Sequence, residues 1–291
     1  MEIKRIVPSG YCKGVVNAIN IVKKARETYR DEPIYVLGMI VHNSFVSEEL
    51  DRMGIITLND QSRSKEELLD TIDRGVVIFT AHGIADSIKK KAEDKGLICI
   101  DATCSDVRKT QELVKSYLSE GYDVIYFGKA GHPEAESVLS ISKDIHFVTG
   151  KEDIAGLDIR NSKIVITNQT TMSYLELEEM FGILKEKYPH CLINEEICKA
   201  TSARQKAVAD IRDGDVLYVV GDVKSNNTGK LASIGKKNFR NVYLIPSKEG
   251  INKKDLEGQH RIYVTAGAST PPHLIDGVMK YLEELAAETG K

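Results

Sequence analysis

No run of apolar residues in the 291-residue chain approaches the roughly 18 that a membrane-spanning helix needs. The first residues, Met1-Glu2-Ile3-Lys4-Arg5-Ile6-Val7-Pro8, lack the apolar core of a secretory signal. A formal net charge of −3 gives no reason to expect nucleic acid or a membrane surface as a partner. The one basic cluster, Lys89-Lys90-Lys91, has Glu93 and Asp94 beside it and reads as a solvated helix face. Without an export signal, five cysteines in a chain this long read as cytoplasmic thiols or ligands rather than a disulfide framework. A P-loop is missing too. Asn227-Thr228-Gly229-Lys230 has Gly221 too far upstream and Leu231 where Ser or Thr is required.

What is present is ordinary in bulk, with 42% hydrophobic and 29% charged residues. Length alone suggests two domains, but the chain repeats itself. The clearest instance is Ile98 to Thr110. A β-branched run (Ile98, Ile100) ends in a polar elbow at Cys104, then Ser105-Asp106 opens an amphipathic pattern over Val107–Leu118. A thiol at a helix start is favoured as the thiolate that binds metal or attacks. The same order recurs from Ile3–Val7 to Cys12 and a helix Val15–Ala25, and from Leu192-Ile193 to Cys198 and a helix Ser202–Ile211. Each elbow is followed by a strand (Ile34–Leu37, Val124–Phe127, Val216–Val220) and a polar loop: His42-Asn43-Ser44, His132-Pro133-Glu134, or Ser225-Asn226-Asn227-Thr228.

Each repeat has a second half. Strands Val76–Phe79, Ile164–Ile166 and Ile262–Val264 end in Ala81-His82-Gly83, Asn168-Gln169-Thr170-Thr171 and Ala266-Gly267-Ala268-Ser269. The cysteines are 92 and 94 residues apart, and the loops keep similar spacing in all three copies. The chain is therefore expected to be α/β, with three units related by a pseudo-threefold axis, mostly parallel sheets and a central cavity. The boundaries are 14–103, 104–196, and 197–285 together with 1–13. Asp60–Ile72 and Tyr174–Lys187 read as surface helices, Gly250–Gly258 as a polar connection, and the tail after Leu285 as frayed or leading into a further domain. In parallel sheets ligands bind beyond the carboxyl ends of the strands, where all these loops fall.

Cys12, Cys104 and Cys198 could be three buried thiols, but the repetition argues for ligands. Structural zinc usually takes closely spaced cysteine pairs, whereas iron–sulfur clusters accept distant ones. Three cysteines leave one iron of a four-iron cluster open to act on a substrate oxygen. Cys99 and Cys191 have no counterpart in the first repeat and read as small buried hydrophobes. The six loops are rich in His, Ser, Thr and Asn, which suits an anion pocket. His42, His82 and His132 occupy matched positions; His146, His190, His260 and His273 do not and read as surface or packing residues. Glu134 is the one carboxylate in these loops and the candidate general acid. His132-Pro133-Glu134 also fits the start of a zinc-deaminase signature, but the downstream P-C-x-x-C is absent. On these residues alone, a reductive dehydroxylase, a Lewis-acid lyase or hydratase, and a metal- or redox-sensing scaffold all remain open.

The segments Gly-Tyr-Cys12-Lys-Gly-Val, Val-His42-Asn, Ala-His82-Gly, Asp-Ala-Thr-Cys104, Gly-His132-Pro-Glu134, Gln-Thr170-Thr, Ile-Cys198-Lys-Ala-Thr and Thr-Ala-Gly-Ala-Ser269 resemble those of the LytB-type 4-hydroxy-3-methylbut-2-enyl diphosphate reductases. The resemblance runs from residue 10 to residue 269. It implies a three-lobed fold around a [4Fe–4S] cluster on Cys12, Cys104 and Cys198. It implies reductive loss of the terminal hydroxyl of an allylic diphosphate, giving isopentenyl and dimethylallyl diphosphates with electrons from ferredoxin or flavodoxin. His42, His82, Ser225, Asn227 and Ser269 would hold the diphosphate, His132 and Thr170 would contact the hydroxyl side, and Glu134 would supply protons. Two positions depart from the family pattern. Ser105 stands where Pro is usual, and Asn226 replaces the second Ser of a Ser-Ser-Asn loop, where its amide can still hydrogen-bond phosphate.

Overall fold

The computed structural model describes residues 1–289. The chain opens with β1 (Glu2–Arg5) and α1 (Lys13–Thr28). It continues through β2 (Ile34–Leu37), α2 (Ser44–Arg52), β3 (Ile55–Leu58), α3 (Lys65–Asp70), β4 (Val76–Phe79), α4 (Asp86–Asp94) and β5 (Ile98–Asp101). The second run is α5 (Ser105–Ser119), β6 (Asp123–Phe127), α6 (Pro133–Leu139), β7 (His146–Val148), α7 (Lys151–Gly156), β8 (Ile164–Asn168), α8 (Tyr174–Lys187) and β9 (Leu192–Ile193). The third is α9 (Lys199–Ala209), β10 (Gly214–Val220), α10 (Asn226–Gly235), β11 (Phe239–Ile245), β12 (Arg261–Ala266) and α11 (Pro272–Thr289).

The strands form three four-stranded sheets, ordered β3-β2-β4-β5, β7-β6-β8-β9 and β11-β10-β12-β1, with every pairing parallel. The expected α/β class with parallel sheets is what the chain adopts. In each sheet one edge strand leads into a cysteine elbow: β5 into Cys104, β9 into Cys198 and β1 into Cys12. The third sheet is thus closed by the first strand of the chain, Glu2–Arg5 lying against Arg261–Val264.

Burial explains which strands form where. Every residue of β4, β8 and β10 is buried, as in strands covered on both faces. Helices pack against them through apolar stripes. Leu68, Leu69 and Ile88 cover Leu37 and Phe79; Leu177, Met180 and Leu184 cover Ile125 and Ile166; Ile275, Val278 and Leu282 cover Val216 and Val264. The opposite edge strands, β3, β7 and β11, are not singled out by sequence patterning. They are half-exposed, and β7 is only three residues long. Two compact units result: residues 1–15 with 42–46 and 199–291, and residues 16–41 with 47–198.

Two expectations need correction. The helix expected over Asp60–Ile72 is confined to Lys65–Asp70, because Ser64 and Glu67 form a capping box that starts it there. Asp60 and Ser62 make a turn instead. The tail after Leu285 is not frayed but continues α11 through Thr289, as the helix-forming run Ala286-Ala287-Glu288 permits. The last two residues lie outside the described ones. The polar Gly250–Gly258 connection contains one short 3₁₀ turn, Lys253–Leu256, and a second, Lys248–Gly250, ends where it begins. Among the described residues, no helix is long and apolar enough to cross a membrane.

Candidate functional site

Each elbow cysteine stands one residue before a helix: Cys12 before α1, Cys104 before α5 and Cys198 before α9. Each is fixed by the same backbone bond. The N–H of Cys12 donates to the carbonyl of Ala268 (3.1 Å), that of Cys104 to Ala81 (3.0 Å) and that of Cys198 to Thr170 (3.1 Å). The acceptors belong to the three second-half loops, so each cysteine is tied to the polar loop beside its own strand. Cys12 Sγ also accepts the N–H of Val15 at 3.4 Å, a contact with the helix start. All three thiols are half-buried. Cys99 and Cys191 differ: both pack at the margins of apolar clusters, and burial pushes both thiols up. Half-buried sulfur donors at helix starts are of the ligand type that iron–sulfur clusters take.

The first compact unit contains Cys12, His42, Ser225, Asn226, Asn227 and Ser269. Ser225 caps α10, its hydroxyl accepting the N–H of Thr228. Asn226 and Asn227 follow in the first turn, where backbone N–H groups and the helix dipole favour an anion. Asn227 is only 4% exposed, yet both polar atoms of its amide have no hydrogen-bond partner among the described residues. Thr228 Oγ1 is buried and unpartnered in the same sense. Leaving such groups unmade costs about 1–3 kcal/mol each, so they read as contacts kept for a ligand. Gly267 is required beside them, since a Cβ there would stand 2.1 Å from Thr228 Oγ1. The Ser269 hydroxyl donates to the carbonyl of His42 (3.0 Å). Asp222 contributes a contact that no sequence motif signals. Its carboxylate accepts the N–H of Ser44 (3.0 Å) and that of Lys224 (2.8 Å), joining the His42 segment to the Ser225 loop.

The second unit contains His82, Cys104, His132, Glu134, Thr170 and Cys198. Pro133 at the first position of α6 places Glu134 on the next, with His132 as the cap. His132 Nδ1 accepts the N–H of Glu134 (3.2 Å), so a neutral His132 ring carries its proton on Nε2. The Glu134 carboxyl is 1% exposed and meets Thr170 twice. The backbone N–H donates to Oε1 at 2.7 Å and the hydroxyl to Oε2 at 3.0 Å. Burial pushes the Glu134 carboxyl up to about 7, against the two Thr170 hydrogen bonds, which favour the anion; Asp106 adds a smaller upward push. The rings of His82 and His132 meet edge to face, with centroids 5.5 Å apart. Ser137, which sequence reasoning passes over, donates to the carbonyl of Glu134 (2.8 Å) and accepts from Gln111 (3.0 Å). Gly83, at φ +84°, leaves room for both: a Cβ would lie 2.7 Å from Gln111 Nε2. His146 is bound to Asp123 (2.8 Å), and His190, His260 and His273 are exposed, in keeping with packing or surface roles.

The family model described as LytB protein matches residues 3–283. The protein named 4-hydroxy-3-methylbut-2-enyl diphosphate reductase of Geobacillus sp. (strain WCH70) is 44% identical over 288 residues, covering 98% of this chain and 91% of its own. The protein of the same name from Bacillus subtilis (strain 168) is 42% identical over 292 residues, covering 99% of this chain and 92% of its own. Among solved structures, that of the E-1-hydroxy-2-methyl-but-2-enyl-4-diphosphate reductase from Plasmodium falciparum superposes with a TM-score of 0.89. Its identity is 31%, over 97% of this chain and 87% of that one.

Proposed function

The chain belongs to the LytB protein family, and from that premise we propose that it removes the hydroxyl of 4-hydroxy-3-methylbut-2-enyl diphosphate reductively, giving isopentenyl and dimethylallyl diphosphates. The observation that carries this reading is the thrice-repeated elbow, in which Cys12, Cys104 and Cys198 each hang from one loop carbonyl. These three cysteines hold a [4Fe–4S] cluster. Once bound, the cluster would supply electrons one at a time and Lewis acidity toward the substrate oxygen.

The other residues bind and move protons. Ser225, Asn226, Asn227, Ser269, His42 and His82 hold the diphosphate, by neutral hydrogen bonding and a helix start rather than by a lysine or arginine clamp. His132 presents its Nε2–H, and Thr170 its backbone and hydroxyl, on the side of the departing oxygen. Glu134 is the acid. A carboxyl that titrates near 7 is protonated in about half the molecules at neutral pH and can hand its proton to the hydroxyl, which leaves as water. The overall balance is two electrons and two protons for one allylic C–O bond broken, one C–H bond made and one water released.

The finer features follow the same reading: ferredoxin or flavodoxin as donor, a cytoplasmic setting, and three α/β units over 14–103, 104–196, and 197–285 with 1–13. Anaerobic purification followed by turnover of the hydroxylated diphosphate with reduced methyl viologen tests it. Iron-bound, coloured protein that yields both C5 diphosphates is the expected result. A colourless, iron-free protein, or an intact cluster without turnover, overturns it.

A further inference from the structure

α5 begins just after Cys104 and carries Lys109 in its second turn. Its ammonium meets both carboxylate oxygens of Glu196, at 3.0 and 2.9 Å. Glu196 lies two residues before Cys198. Its side chain is only 8% exposed, whereas that of Lys109 is 66% exposed. The backbone N–H of Glu196 is taken by Asn168 Oδ1 (3.0 Å), and the Asn168 amide in turn donates to the carbonyl of Gln169 (2.9 Å). Asn168 is fully buried and ends β8, two residues before the Thr170 carbonyl that receives the Cys198 N–H. A second tie lies two turns further along α5, where Asn194 Nδ2 donates to Tyr117 Oη (2.8 Å). Lys109 and Tyr117 share a helix face, and Asn194 and Glu196 share one side of an extended segment. The two bonds therefore brace one segment along one helix, and both cysteines stand at the braced end.

From this geometry we propose that Lys109 and Glu196 are positioning residues, a charged brace that holds the Cys198 elbow at a set distance from Cys104. The inference rests on the cluster reading above. A pair made only for surface charge would not need a nearly buried carboxylate, whose desolvation is offset here by two charge-assisted contacts from Lys109. The pattern also recurs. On α9, Arg204 stands six residues after Cys198, as Lys109 stands five after Cys104. Its guanidinium donates to the carbonyl of Gly10 (2.6 Å), two residues before Cys12, and to that of Ala200 (2.7 Å). A basic residue one and a half turns past one cysteine thus grips the residue two places before the next, twice in the chain. The corresponding positions of the remaining repeat hold Asn17-Ala18 and Ala102, with no cation.

Release of iron from the anaerobically purified holoprotein to a chelator, followed at the visible absorption band, tests the brace. Residues that orient metal ligands typically contribute 10–100-fold to metal retention. Lys109→Met is expected to lose iron at least about tenfold faster than the wild type, Glu196→Gln to do the same, and Lys109→Arg to stay within about twofold. Urea midpoints of the metal-free proteins should differ little, because Lys109 is largely exposed. Wild-type release rates in Lys109→Met overturn the proposal. So does faster release matched by an equal fall in the metal-free urea midpoint, since the pair would then hold the fold and not the cysteines. A wild type that never carries iron removes the cluster reading, and the brace with it. Normal loading with no difference between variants removes the brace alone.

Discussion

Replacing Glu134 by Gln tests the acid directly, and the effect can be sized from the burial of the carboxyl. The group is raised from 4.5 to about 7 in the folded protein. About 2.5 units at 1.36 kcal/mol each correspond to roughly 3 kcal/mol. The folded state holds this proton more tightly than the unfolded chain does. Its contribution is therefore fully present below about pH 4.5 and is lost as pH rises through 7. Gln has the same shape: its carbonyl still accepts the Thr170 N–H, and its amide can donate to Thr170 Oγ1. Only the titration is removed. Urea unfolding of both proteins, run anaerobically at steps between pH 5 and 8, gives the comparison. The Gln variant should gain on the wild type by about 2.5 kcal/mol across that interval, most of the full term. Its turnover should fall by at least about a hundredfold, the lower end for a lost general acid. Wild-type turnover should decline above pH 7 as the carboxyl loses its proton. Parallel stability curves would refute the argument, because they would mean that Glu134 titrates as an ordinary carboxylate and holds no proton to give at neutral pH.

Three further outcomes follow from the same geometry. Cys104→Ser should abolish the visible absorption of the anaerobic protein, while Cys99→Ser and Cys191→Ser keep it, read from iron content per chain. Asn227→Leu should leave the thermal midpoint unchanged or higher, since it removes two unpartnered buried polar atoms, yet raise KM about tenfold or more in steady-state kinetics. Gly267→Ala should destabilise the protein by about 1–3 kcal/mol in urea unfolding and raise KM, because its methyl has no space beside Thr228 Oγ1.

Much of the architecture is legible in the residue order, and the exceptions have physical reasons. Ile34–Leu37 and Val76–Phe79 have the bounds that their apolar runs suggest, since parallel strands covered on both faces need no alternation. β3, β7 and β11 escape because edge strands relax that demand: Ile56 is 45% exposed, and β11 admits an exposed Arg240 as its second residue. Histidines and cysteines at matched repeat positions can be picked out because they recur. What cannot be read is any property made by two distant segments. The raised proton affinity of Glu134 comes from a burial made only when the distant segment carrying Thr170 packs beside it, and Asp222 matters only because Ser44 comes to it. Neither partner is named by spacing, since the chain between them could close in many ways.

The third sheet, completed by β1, has a consequence for the order of assembly. Arg5 pairs with Val264, and Cys12 is pinned by Ala268, so both wait for some 260 further residues to be made. At translation speeds of about 5–20 residues per second, the opening segment is exposed for roughly 13 to 50 seconds before its neighbours exist. The β5–Cys104 elbow, by contrast, finds its partners Val76–Phe79 and Ala81 within some 25 residues upstream. A nascent chain can therefore form its later elbows while the first still lacks its neighbours. The cysteine that leaves the ribosome first is the last to be set in place.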